Sequence, residues 1–539
     1  MHLAGMASNR GRNLMNIADR EPGGADLAVV LTDTAGAPVL EKARSRGIPA
    51  ETVVPEERES RRAHERRVLD ALSGHDVDLV CLDGYMRILS DTFLDAAPTT
   101  VNVHPSLLPS FPGEDAWADA LAAGVSVTGC TVHVVTDATD EDGHIVESEI
   151  DAGPIVTQEP VAVYPADTRD DLKERVLYRG EFQAYPRAVR WFADGRVDVD
   201  AGAKTVRVDG DRGGEGAFPE RRITSADRAT ALRYGENPHQ DAALYADYTV
   251  EEATVVEADQ LNRDARALSY NNYNDADAAL DLIKEFESPA AAVIKHTNPA
   301  GCATAGDLAS AYDRALSTDP MSAFGGIVAL NRECDRETAT EVVDSFKEVV
   351  VAPGYTEAAL SVLRDRENLR VLDVGDLGER TERLTESSLV GGRLVQERDR
   401  KRVTEDDLEV VTGRDPTNAE IESMLFAWRV ITHVRSNAIL LARGTETVGV
   451  GMGQVSRVDA VRLAAMKAEE HAEGKDAAGS VMASDAFFPF PDGVERAAEA
   501  GVEAVIQPGG SQNDEAVVGA ADEHDLAMVF TGSRCFRHD

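Results

Sequence analysis

The pair Lys295–His296 combines two side chains that together could catalyse acyl transfer. An apolar run over residues 290–294 predicts a buried strand that ends on this pair and opens into turn residues at 297–301. The chain contains nine lysines, so a lysine at this strand end is not expected to be incidental surface. An imidazole can remove a proton from an attacking amine, and an ammonium can stabilise the oxyanion that forms. The alternative interpretation is a loop lysine that caps backbone carbonyls.

Asn102 and His104 form a second candidate group. They lie two residues apart in a predicted strand, so their side chains share one face. An amide donor beside an imidazole can hold a carbonyl oxygen as it becomes an oxyanion. A carboxylate further along, Asp151, could orient His104 or carry a proton through a water molecule. The alternative for His104 is a core histidine whose hydrogen bonds are satisfied.

A third feature is the loop near the N-terminus, where a short predicted strand runs into a Gly/Ser/Asn segment and then a helix. Backbone N–H groups at a helix start, together with the helix dipole, make a cradle for phosphate. An ordinary strand-to-helix turn is the alternative. The candidate phosphate-binding residues are Ser8, Asn9, Arg10, Gly11, Arg12 and Asn13.

Composition narrows the class of protein that these motifs can belong to. The chain of 539 residues carries a net charge of −41, spread along its length, which opposes binding to nucleic acid or to an anionic membrane. Such acidity suits concentrated salt, where charges are screened within roughly 3 Å at 1 M. Five widely spaced cysteines predict neither a disulfide framework nor a zinc site. With no signal-like or membrane-spanning apolar run, we expect a cytoplasmic α/β protein.

The elements that must position these motifs fall into two predicted domains. Strands at 26–33 and 77–82, with a helix at 61–73 between them, predict a doubly wound parallel sheet for residues 1–200. Residues 201–225 are predicted to be a linker, with the boundary near Gly216. Residues 226–539 are predicted to form a second α/β domain, whose second half begins near residue 388.

Residues 1–200 resemble the phosphoribosylglycinamide (GAR) formyltransferase family, which is folate-dependent, acts in purine synthesis and has a Rossmann-like fold. The resemblance rests on the phosphate loop, on Asn-x-His-Pro-Ser-Leu-Leu-Pro at 102–109, on Asp-Ala-Gly-Pro at 151–154 and on Gly-Tyr-Met-Arg-Ile-Leu at 84–89. It implies that Asn102 and His104 polarise the formyl group and that Asp151 handles the proton. The folate site it implies is lined by Met86, Arg87, Ile88 and Leu89.

One departure from this family lies before Asp151. Extra acidic residues at 137–143 make Asp140 and Asp142 rivals for the proton-handling role. The Gly-Pro that follows Asp151 favours Asp151.

Residues 225–539 carry polar and aromatic clusters that singly are common in ordinary turns and packing loops. Their joint order resembles the AICAR formyltransferase domain of the bifunctional purine enzyme that also makes IMP. The resemblance implies two cytidine-deaminase-like αβα subdomains without zinc, at about 226–387 and 388–539. One of the clusters, Gly449–Arg457, is predicted to be a glycine-rich loop.

The same resemblance assigns roles to individual residues. It implies that Lys295 and His296 are catalytic and that Asn437 orients the imidazole. The AICAR amine is conjugated with its ring and is a poor nucleophile, so it needs a base and an oxyanion-stabilising cation. Arginine suits the ribose phosphate because it binds phosphate in bidentate fashion. The residues implied to hold the nucleotide are Arg233, Asn272, Gly325, Arg457, Phe487, Asp492 and Arg534.

Together the motifs predict a fusion of two formyltransferases that share 10-formyltetrahydrofolate as donor and need no metal. The small-molecule acceptors would be GAR and AICAR, and the resemblance implies a homodimer. No IMP cyclohydrolase module is recognisable in the sequence. The alternatives are an N-terminal half that uses another amine, such as methionyl-tRNA or an amino sugar, or one that only binds folate, and a regulator in which one site is inactive.

Overall fold

The computed structural model describes residues 1–140, 144–200, 205–210, 218–262 and 264–538. The chain divides into two compact units, Met1–Ile223 and Thr224–Asp539. The predicted boundary at Gly216 and the rival carboxylate Asp142 lie outside the described residues. In the part of the chain that is described, no helix has both the length and the apolar character that a membrane crossing requires.

The first unit alternates short strands with helices. Its strands are β1 (His2–Met6), β2 (Asp26–Thr32), β3 (Ala50–Thr52), β4 (Leu79–Leu82), β5 (Thr100–His104), β6 (Val127–Val134), β7 (Ile155–Ala162), β8 (Val197–Asp200) and β9 (Thr205–Val208). Its helices are α1 (Arg12–Arg20), α2 (Pro38–Ser45), α3 (Arg61–Leu72), α4 (Asp91–Leu94), α5 (Ala116–Ala123), α6 (Arg169–Arg175) and α7 (Phe182–Ala193), with a π-helical segment at Val176–Glu181 between the last two.

The main sheet of this unit has the order β3-β2-β1-β4-β5-β6-β7. Strands β1 to β5 are parallel to their neighbours, as predicted, but β6 and β7 are antiparallel. Alternation of strands and helices does not fix strand direction, and the α5 connection returns the chain the opposite way. Leu3 packs into one core and Ala4 into another, so the sheet is covered on both faces.

The order of strands places a topological switch point between β1 and β4, from which the chain runs outward in both directions. Ligands of open α/β sheets bind outside the carboxyl ends of the strands at such a point. The loop after β1 is the predicted phosphate cradle, and the segment after β4 is the predicted folate-lining segment. The fold therefore brings two separate sequence motifs to one edge of the sheet.

Part of the predicted linker is in fact structured. Strands β8 and β9 pair as an antiparallel hairpin, and their valines pack against the core of the first unit. The period-two pattern of Val197, Val199, Val206 and Val208 is only four residues long on each strand and is set among charged residues. For that reason the sequence pattern predicts a linker over a segment that contains part of this hairpin.

The second unit also alternates strands and helices. Its strands are β10 (Asp227–Leu232), β11 (Ala242–Ala246), β12 (Asp259–Gln260), β13 (Ala290–Lys295), β14 (Asn298–Thr304), β15 (Ile327–Leu330), β16 (Val349–Ala352), β17 (Arg370–Asp373), β18 (Leu384–Leu389), β19 (Gly392–Glu397), β20 (Glu409–Val410), β21 (Ile439–Arg443), β22 (Glu446–Gly451), β23 (Val481–Ser484), β24 (Ala504–Gln507) and β25 (Ala527–Phe530). Its helices are α8 (Tyr270–Ile283), α9 (Leu308–Leu316), α10 (Pro320–Ala323), α11 (Arg336–Val343), α12 (Glu357–Arg364), α13 (Asn418–Ile431), α14 (Arg457–Glu470), α15 (Asp492–Glu499) and α16 (Asp514–Glu523).

The large sheet of the second unit is built from two similar halves. Its order is β12-β17-β16-β15-β13-β14-β22-β21-β23-β24-β25-β20, which reads as one arrangement and its mirror about the contact of β14 with β22. In each half an antiparallel hairpin (β13–β14 or β21–β22) pairs with an antiparallel strand, which two parallel strands then follow. We call these halves the first and second repeats. The hairpin β18–β19, which contains the predicted subdomain boundary at residue 388, lies between them in the chain.

Two predicted elements of this unit have different outcomes. The buried apolar strand is present as β13, in which Ala290 to Ile294 are all buried. The glycine-rich loop predicted at Gly449–Arg457 is wrong at its start, because Gly449 and Gly451 belong to β22. A Cβ atom at Gly451 would lie 2.0 Å from the carbonyl oxygen of Ala460 in α14. These glycines therefore allow a helix to pack closely on a strand.

Candidate active sites

The first candidate site is centred on His104 at the end of β5. The His104 side chain is buried, and its Nδ1 lies 3.1 Å from Oδ2 of Asp151. Its Nε2 lies 2.9 Å from the carbonyl oxygen of Phe111. Both ring nitrogens therefore face oxygen acceptors, an arrangement that an imidazolium satisfies.

Asp151 is held in place by its surroundings. The N–H of Gly113 donates to Oδ2 of Asp151 at 3.1 Å. Burial by itself would raise the pKa of Asp151, but hydrogen bonds from His104 and His133 hold this pKa well below its usual value. Two residues on, Gly153 is required, since a Cβ atom there would lie 1.8 Å from the carbonyl oxygen of Val134. The close approach of Gly153 to the backbone of β6 thus places the Asp151 carboxylate next to this strand.

His133 is a member of this site that the sequence reasoning missed. It lies on β6 directly opposite Asn102 of β5. Its Nε2 is 3.3 Å from Nδ2 of Asn102 and 3.6 Å from Oδ1 of Asp151. A histidine inside a predicted strand was the available signal, but only the register of the two strands brings it to the site.

The structure favours Asp151 over the described rival. Asp140 lies in the segment between β6 and β7, and its Oδ2 is 3.4 Å from Nδ1 of His144, a histidine whose side chain is 77% exposed. Asp151 instead contacts two buried histidines. A carboxylate within reach of His104 is the one that can orient the imidazole.

A cavity of about 310 Å³ opens onto these groups. The predicted folate-lining segment after β4 forms one wall of it, so the structure brings the two motifs together. Predicted residues that line the cavity are Met86, Arg87, Ile88, Leu89, Asn102, His104 and Asp151.

The predicted phosphate loop divides into an exposed part and a buried part. Gly11 caps α1 with a φ of 54°, in the left-handed region that favours glycine, and Asn9 and Arg10 are exposed. Nζ of Lys42 donates to the carbonyl oxygen of Arg10 at 2.9 Å. Burial, followed by the charges of Arg10 and Arg12, lowers the pKa of Lys42. Three cations therefore surround this loop, which suits a phosphate.

The side chains of Ser8 and Asn13 form hydrogen bonds within the protein that hold the loop in place. Oγ of Ser8 accepts from the N–H of Met86 at 3.0 Å, which ties the phosphate loop to the folate-lining segment. The Asn13 side chain is 1% exposed, and its Nδ2 donates to Oδ1 of Asp83 at 3.0 Å and to Oε2 of Glu181 at 2.6 Å. Burial raises the pKa of Glu181 to about 7. Neither carboxylate was a sequence candidate.

The second candidate site contains Lys295 at the end of β13. Its Nζ donates to the carbonyl oxygen of Phe324 at 2.5 Å. The next residue, Gly325, has a φ of 69°, and a Cβ atom there would lie 3.1 Å from Nζ of Lys295. The predicted residue Gly325 therefore makes room for the lysine. A second lysine, Lys347, is buried nearby, and burial followed by the charge of Lys295 lowers its pKa to about 8.

His296 is exposed in a tight turn with a φ of 51°. Asp275 of α8, another residue missed from the sequence, accepts from the N–H of His296 at 3.3 Å and from that of Thr297 at 2.7 Å. Nδ2 of Asn298 donates to the carbonyl oxygen of His296 at 3.0 Å, and its Oδ1 accepts from the N–H of Arg435 at 3.0 Å. The turn is thereby held from both repeats.

Asn437 lies two residues after this connection and is held by backbone and side-chain partners. Its Nδ2 donates to the carbonyl oxygens of Gln454 and Val455, each at 2.9 Å, and its Oδ1 accepts from Nη2 of Arg457 at 2.8 Å. Nη1 of Arg457 donates to Oδ1 of Asp485 at 2.5 Å. Arg457 is therefore engaged with its neighbours in this structure.

A cavity of about 420 Å³ adjoins Asn437. Predicted residues that line it are Asn437, Arg457, Phe487, Asp492 and Arg534, whereas Lys295 and His296 are not among the described residues of its lining. Of the other candidates, Asn272 lies in the first repeat, and Arg233 directly follows β10, which pairs with β11 in a separate small sheet. Asn272 lies in the first turn of α8 and completes its capping box with Ser269, and its Nδ2 donates to Oε2 of Glu348 at 2.8 Å. The Arg233 guanidinium lies 5.5 Å from the centroid of the Tyr234 ring.

The candidates that belong to the large sheet thus lie in both repeats. Asn298 links the two repeats through its hydrogen bonds with His296 and Arg435. Among the residues that the structure describes, there is no group of three or more His, Cys, Asp or Glu side chains that could hold a metal ion.

Comparison with known families covers both halves of the chain. Residues 1–189 match the formyl transferase family model, and residues 203–467 match the AICARFT/IMPCHase bienzyme model. The bifunctional purine biosynthesis protein PurH of Magnetococcus marinus is 51% identical over 335 residues, which are 60% of this chain and 63% of that protein. The chain therefore spans less than two thirds of the length of this relative.

Solved structures of relatives cover a smaller share of the chain. Glycinamide ribonucleotide transformylase 1 from Symbiobacterium toebii is 40% identical, over 39% of this chain and 93% of that one, with a TM-score of 0.35. Phosphoribosylglycinamide formyltransferase from Anaplasma phagocytophilum is 34% identical, over 39% and 95% of the two chains, with a TM-score of 0.34.

Proposed function

Because the chain joins a segment of the formyl transferase family to a segment of the AICARFT/IMPCHase bienzyme family, we propose that it transfers formyl groups to two acceptors in purine synthesis. The donor in both halves is 10-formyltetrahydrofolate. The acceptor is GAR in the N-terminal half and AICAR in the C-terminal half.

The observation that best supports the N-terminal activity is the contact of His104 with Asp151 at the wall of a cavity that also meets the folate-lining segment. His104 can donate a proton from Nε2 to the oxygen of the formyl group as the GAR amine attacks, in exchange for its contact with the Phe111 carbonyl. The Asn102 amide can donate to the same oxygen. Asp151 orients the imidazole through its contact with Nδ1.

The C-terminal activity follows from Lys295 and His296 at one turn. His296, which is exposed, removes a proton from the AICAR amine. Lys295, which is half-buried and fixed by Phe324, stabilises the negative charge that develops on the formyl oxygen. Arg534, which is exposed at the cavity next to Asn437, is suited to the ribose phosphate.

We further propose that the second unit is a pair of cytidine-deaminase-like subdomains and that the protein is a homodimer whose partner completes the AICAR site. Large apolar side chains next to Lys295 support the dimer, since Met321 is 70% exposed and Phe324 is 61% exposed. Mixing Lys295→Ala with Arg534→Ala chains tests this. A site shared between subunits restores activity at about a quarter of the sites in randomly paired dimers. No restored activity in a mixture that has exchanged subunits would contradict the shared site.

The product of the C-terminal half is expected to be formyl-AICAR, without closure to IMP. Incubation of the purified chain with AICAR and donor, followed by mass analysis, distinguishes the two products. Formation of IMP would mean that the chain carries a cyclohydrolase activity that its sequence does not reveal.

A further inference from the structure

Asp319, which no role above has used, lies at the start of α10 and is 2% exposed. Its Oδ1 accepts from the N–H of Ser322 at 3.0 Å, and its Oδ2 accepts from the Ser322 hydroxyl at 2.6 Å. The N–H of Ala323 donates to the backbone carbonyl oxygen of Asp319 at 2.9 Å. With Pro320 in the first turn, these bonds fix a helix of four residues that could not stand alone.

The same carboxylate is also held from the second repeat. Nζ of Lys467 donates to Oδ2 of Asp319 at 2.9 Å, and Nδ1 of His471 lies 3.3 Å from Oδ1. Burial would raise the pKa of Asp319, but hydrogen bonds from Ser322 and Lys467 hold it below its usual value. Next to this contact, the N–H of Glu473 donates to the carbonyl oxygen of Ser317 at 2.8 Å. The end of α14 is therefore fastened to the start of α10.

The other end of α10 leads directly to Lys295. Phe324 follows the helix, and its carbonyl oxygen is the acceptor for Nζ of Lys295. The next two backbone N–H groups also fix this segment. The N–H of Gly325 donates to the carbonyl oxygen of Phe346 at 2.8 Å, and the N–H of Gly326 donates to the carbonyl oxygen of Ala323 at 3.1 Å. A displacement of α10 would therefore move the acceptor that sets the position of the lysine.

We propose that Asp319 is a positioning residue for Lys295, acting through α10 and the Phe324 carbonyl, with Lys467 of the second repeat as its anchor. Helix α14 then serves both parts of the AICAR site. Its first residue, Arg457, holds Asn437, and Lys467 in its last turn, about 15 Å further along the helix at 1.5 Å per residue, holds Asp319. This inference rests on the proposed role of Lys295 in formyl transfer.

The test is Asp319→Asn, measured on both acceptors in the full-length chain. The amide keeps the size and one acceptor oxygen but loses the charge that Lys467 needs. We expect kcat with AICAR to fall by about 10- to 100-fold and KM to change by less than about threefold, because a small displacement of a catalytic group has effects of this size. The rate with GAR, which uses the other half of the chain, should stay at the wild-type value.

Asp335→Asn is the matched control. Asp335 caps α11 by accepting from the N–H of Thr338 at 2.9 Å, so its substitution makes the same Asp-to-Asn change at the cap of a helix that does not lead to Lys295. We expect AICAR turnover within about twofold of wild type in this variant, because asparagine caps a helix about as well as aspartate. Lys467→Met should reproduce the effect of Asp319→Asn, and Lys467→Arg should restore most of the rate. If Asp319→Asn fails to fold, the pair of Lys467 variants decides the question.

A readout on Lys295 itself separates this inference from the proposed function. Brief acetylation with acetic anhydride, followed by peptide mass analysis, gives the labelling rate of Lys295 relative to Lys401. We expect this ratio to change by at least about threefold in Asp319→Asn, since the Phe324 acceptor no longer holds the amine in place. If wild type does not formylate AICAR, the proposed function fails while the labelling still reports on positioning. Wild-type kcat and unchanged labelling in Asp319→Asn and Lys467→Met would overturn the inference.

Discussion

At the scale of single residues, His104 is set apart from His64 of the same unit by what its two nitrogens meet. One faces the Asp151 carboxylate and the other faces a backbone carbonyl. His64 is equally buried, but its Nε2 bonds the carbonyl oxygen of Val53 inside the fold, away from the cavity lining. Burial and a hydrogen bond are therefore not sufficient for a catalytic assignment. The cavity and the carboxylate partner, which His104 shares with His133, are what distinguish it from His64.

The first prediction concerns His104→Ala. Loss of the proton donor should lower kcat/KM for GAR by at least about 10²-fold, while AICAR turnover stays unchanged. The control is His144→Ala, which removes a histidine that is 77% exposed in the same unit and should leave both activities intact. Steady-state rates with each acceptor check this. Equal loss of both activities in His104→Ala would contradict separate sites.

The second prediction concerns Glu181, whose pKa burial raises to about 7 from a usual value of 4.5. A raised folded-state pKa means that the folded protein binds the proton more tightly than the unfolded chain. The stability from this group is present below pH 4.5 and is lost as pH rises through 7. Glu181→Gln should therefore gain stability relative to wild type between pH 5 and 8, seen as a melting-temperature difference that grows with pH. A difference independent of pH would contradict the assignment.

The residues of the sites differ in how far the sequence could predict them. Lys295, His296, Asn102, His104 and Asp151 follow from short motifs whose chemistry is local. His133, Asp275 and Glu181 come from strands and helices far along the chain, so strand register and helix packing bring them in. No pattern in the neighbouring residues marks them.

At the scale of elements, the glycines show where close approach decides the structure. Gly325 follows the carbonyl that holds Lys295, and Gly444 lies in the β21–β22 hairpin turn of the second repeat. Both have positive φ, at 69° and 58°, but only at Gly325 would a Cβ atom lie close to Lys295, at 3.1 Å from its Nζ; at Gly444 such an atom would meet no heavy atom of the described residues within 4 Å. Substitution at Gly444 therefore tests backbone strain alone, whereas substitution at Gly325 tests strain together with a contact to Lys295.

The third prediction uses this pair. Gly325→Ala and Gly444→Ala should each cost about 1 kcal/mol of stability or slightly more, because alanine disfavours positive φ. Only Gly325→Ala should lower AICAR turnover, by roughly tenfold or more, since it displaces Nζ of Lys295. Thermal melts and AICAR rates of both variants check this. Equal rates in the two variants would show that Lys295 does not depend on the shape of this turn.

Elements were predictable where the apolar pattern was continuous. The run that forms β13 is buried on both faces and was apparent in the sequence. The β8–β9 hairpin was not, because its valines are few and lie among charged residues. The glycines of β22 favour a loop in the sequence, because the close packing of α14 against them depends on the folded arrangement and not on the local pattern. Tertiary contact, which local pattern cannot report, decides such cases.

At the scale of the whole molecule, the net charge of −41 is the dominant physical feature. Self-repulsion of this size destabilises a compact state, and salt reduces it by screening. The screening length falls from about 10 Å at 0.1 M to about 3 Å at 1 M. Folding in dilute buffer is therefore expected to be weaker than folding in concentrated salt.

The fourth prediction follows from this charge. The melting temperature should rise by at least about 5 °C between 0.1 M and 2 M KCl, because screening removes most of the repulsion between exposed carboxylates. Sucrose at equal osmolality is the control, since it favours compact states without screening charge. A flat or falling melting temperature in KCl would show that repulsion does not limit stability.

The central claim is that one chain carries two independent formyl transfers. The most direct measurement is formyl transfer by the purified full-length protein in molar KCl, with GAR and AICAR offered separately and the products identified by mass. Wild type should formylate both, Lys295→Ala should retain GAR alone, and His104→Ala should retain AICAR alone. Activity of wild type on only one acceptor, or loss of both activities in either variant, would contradict the claim.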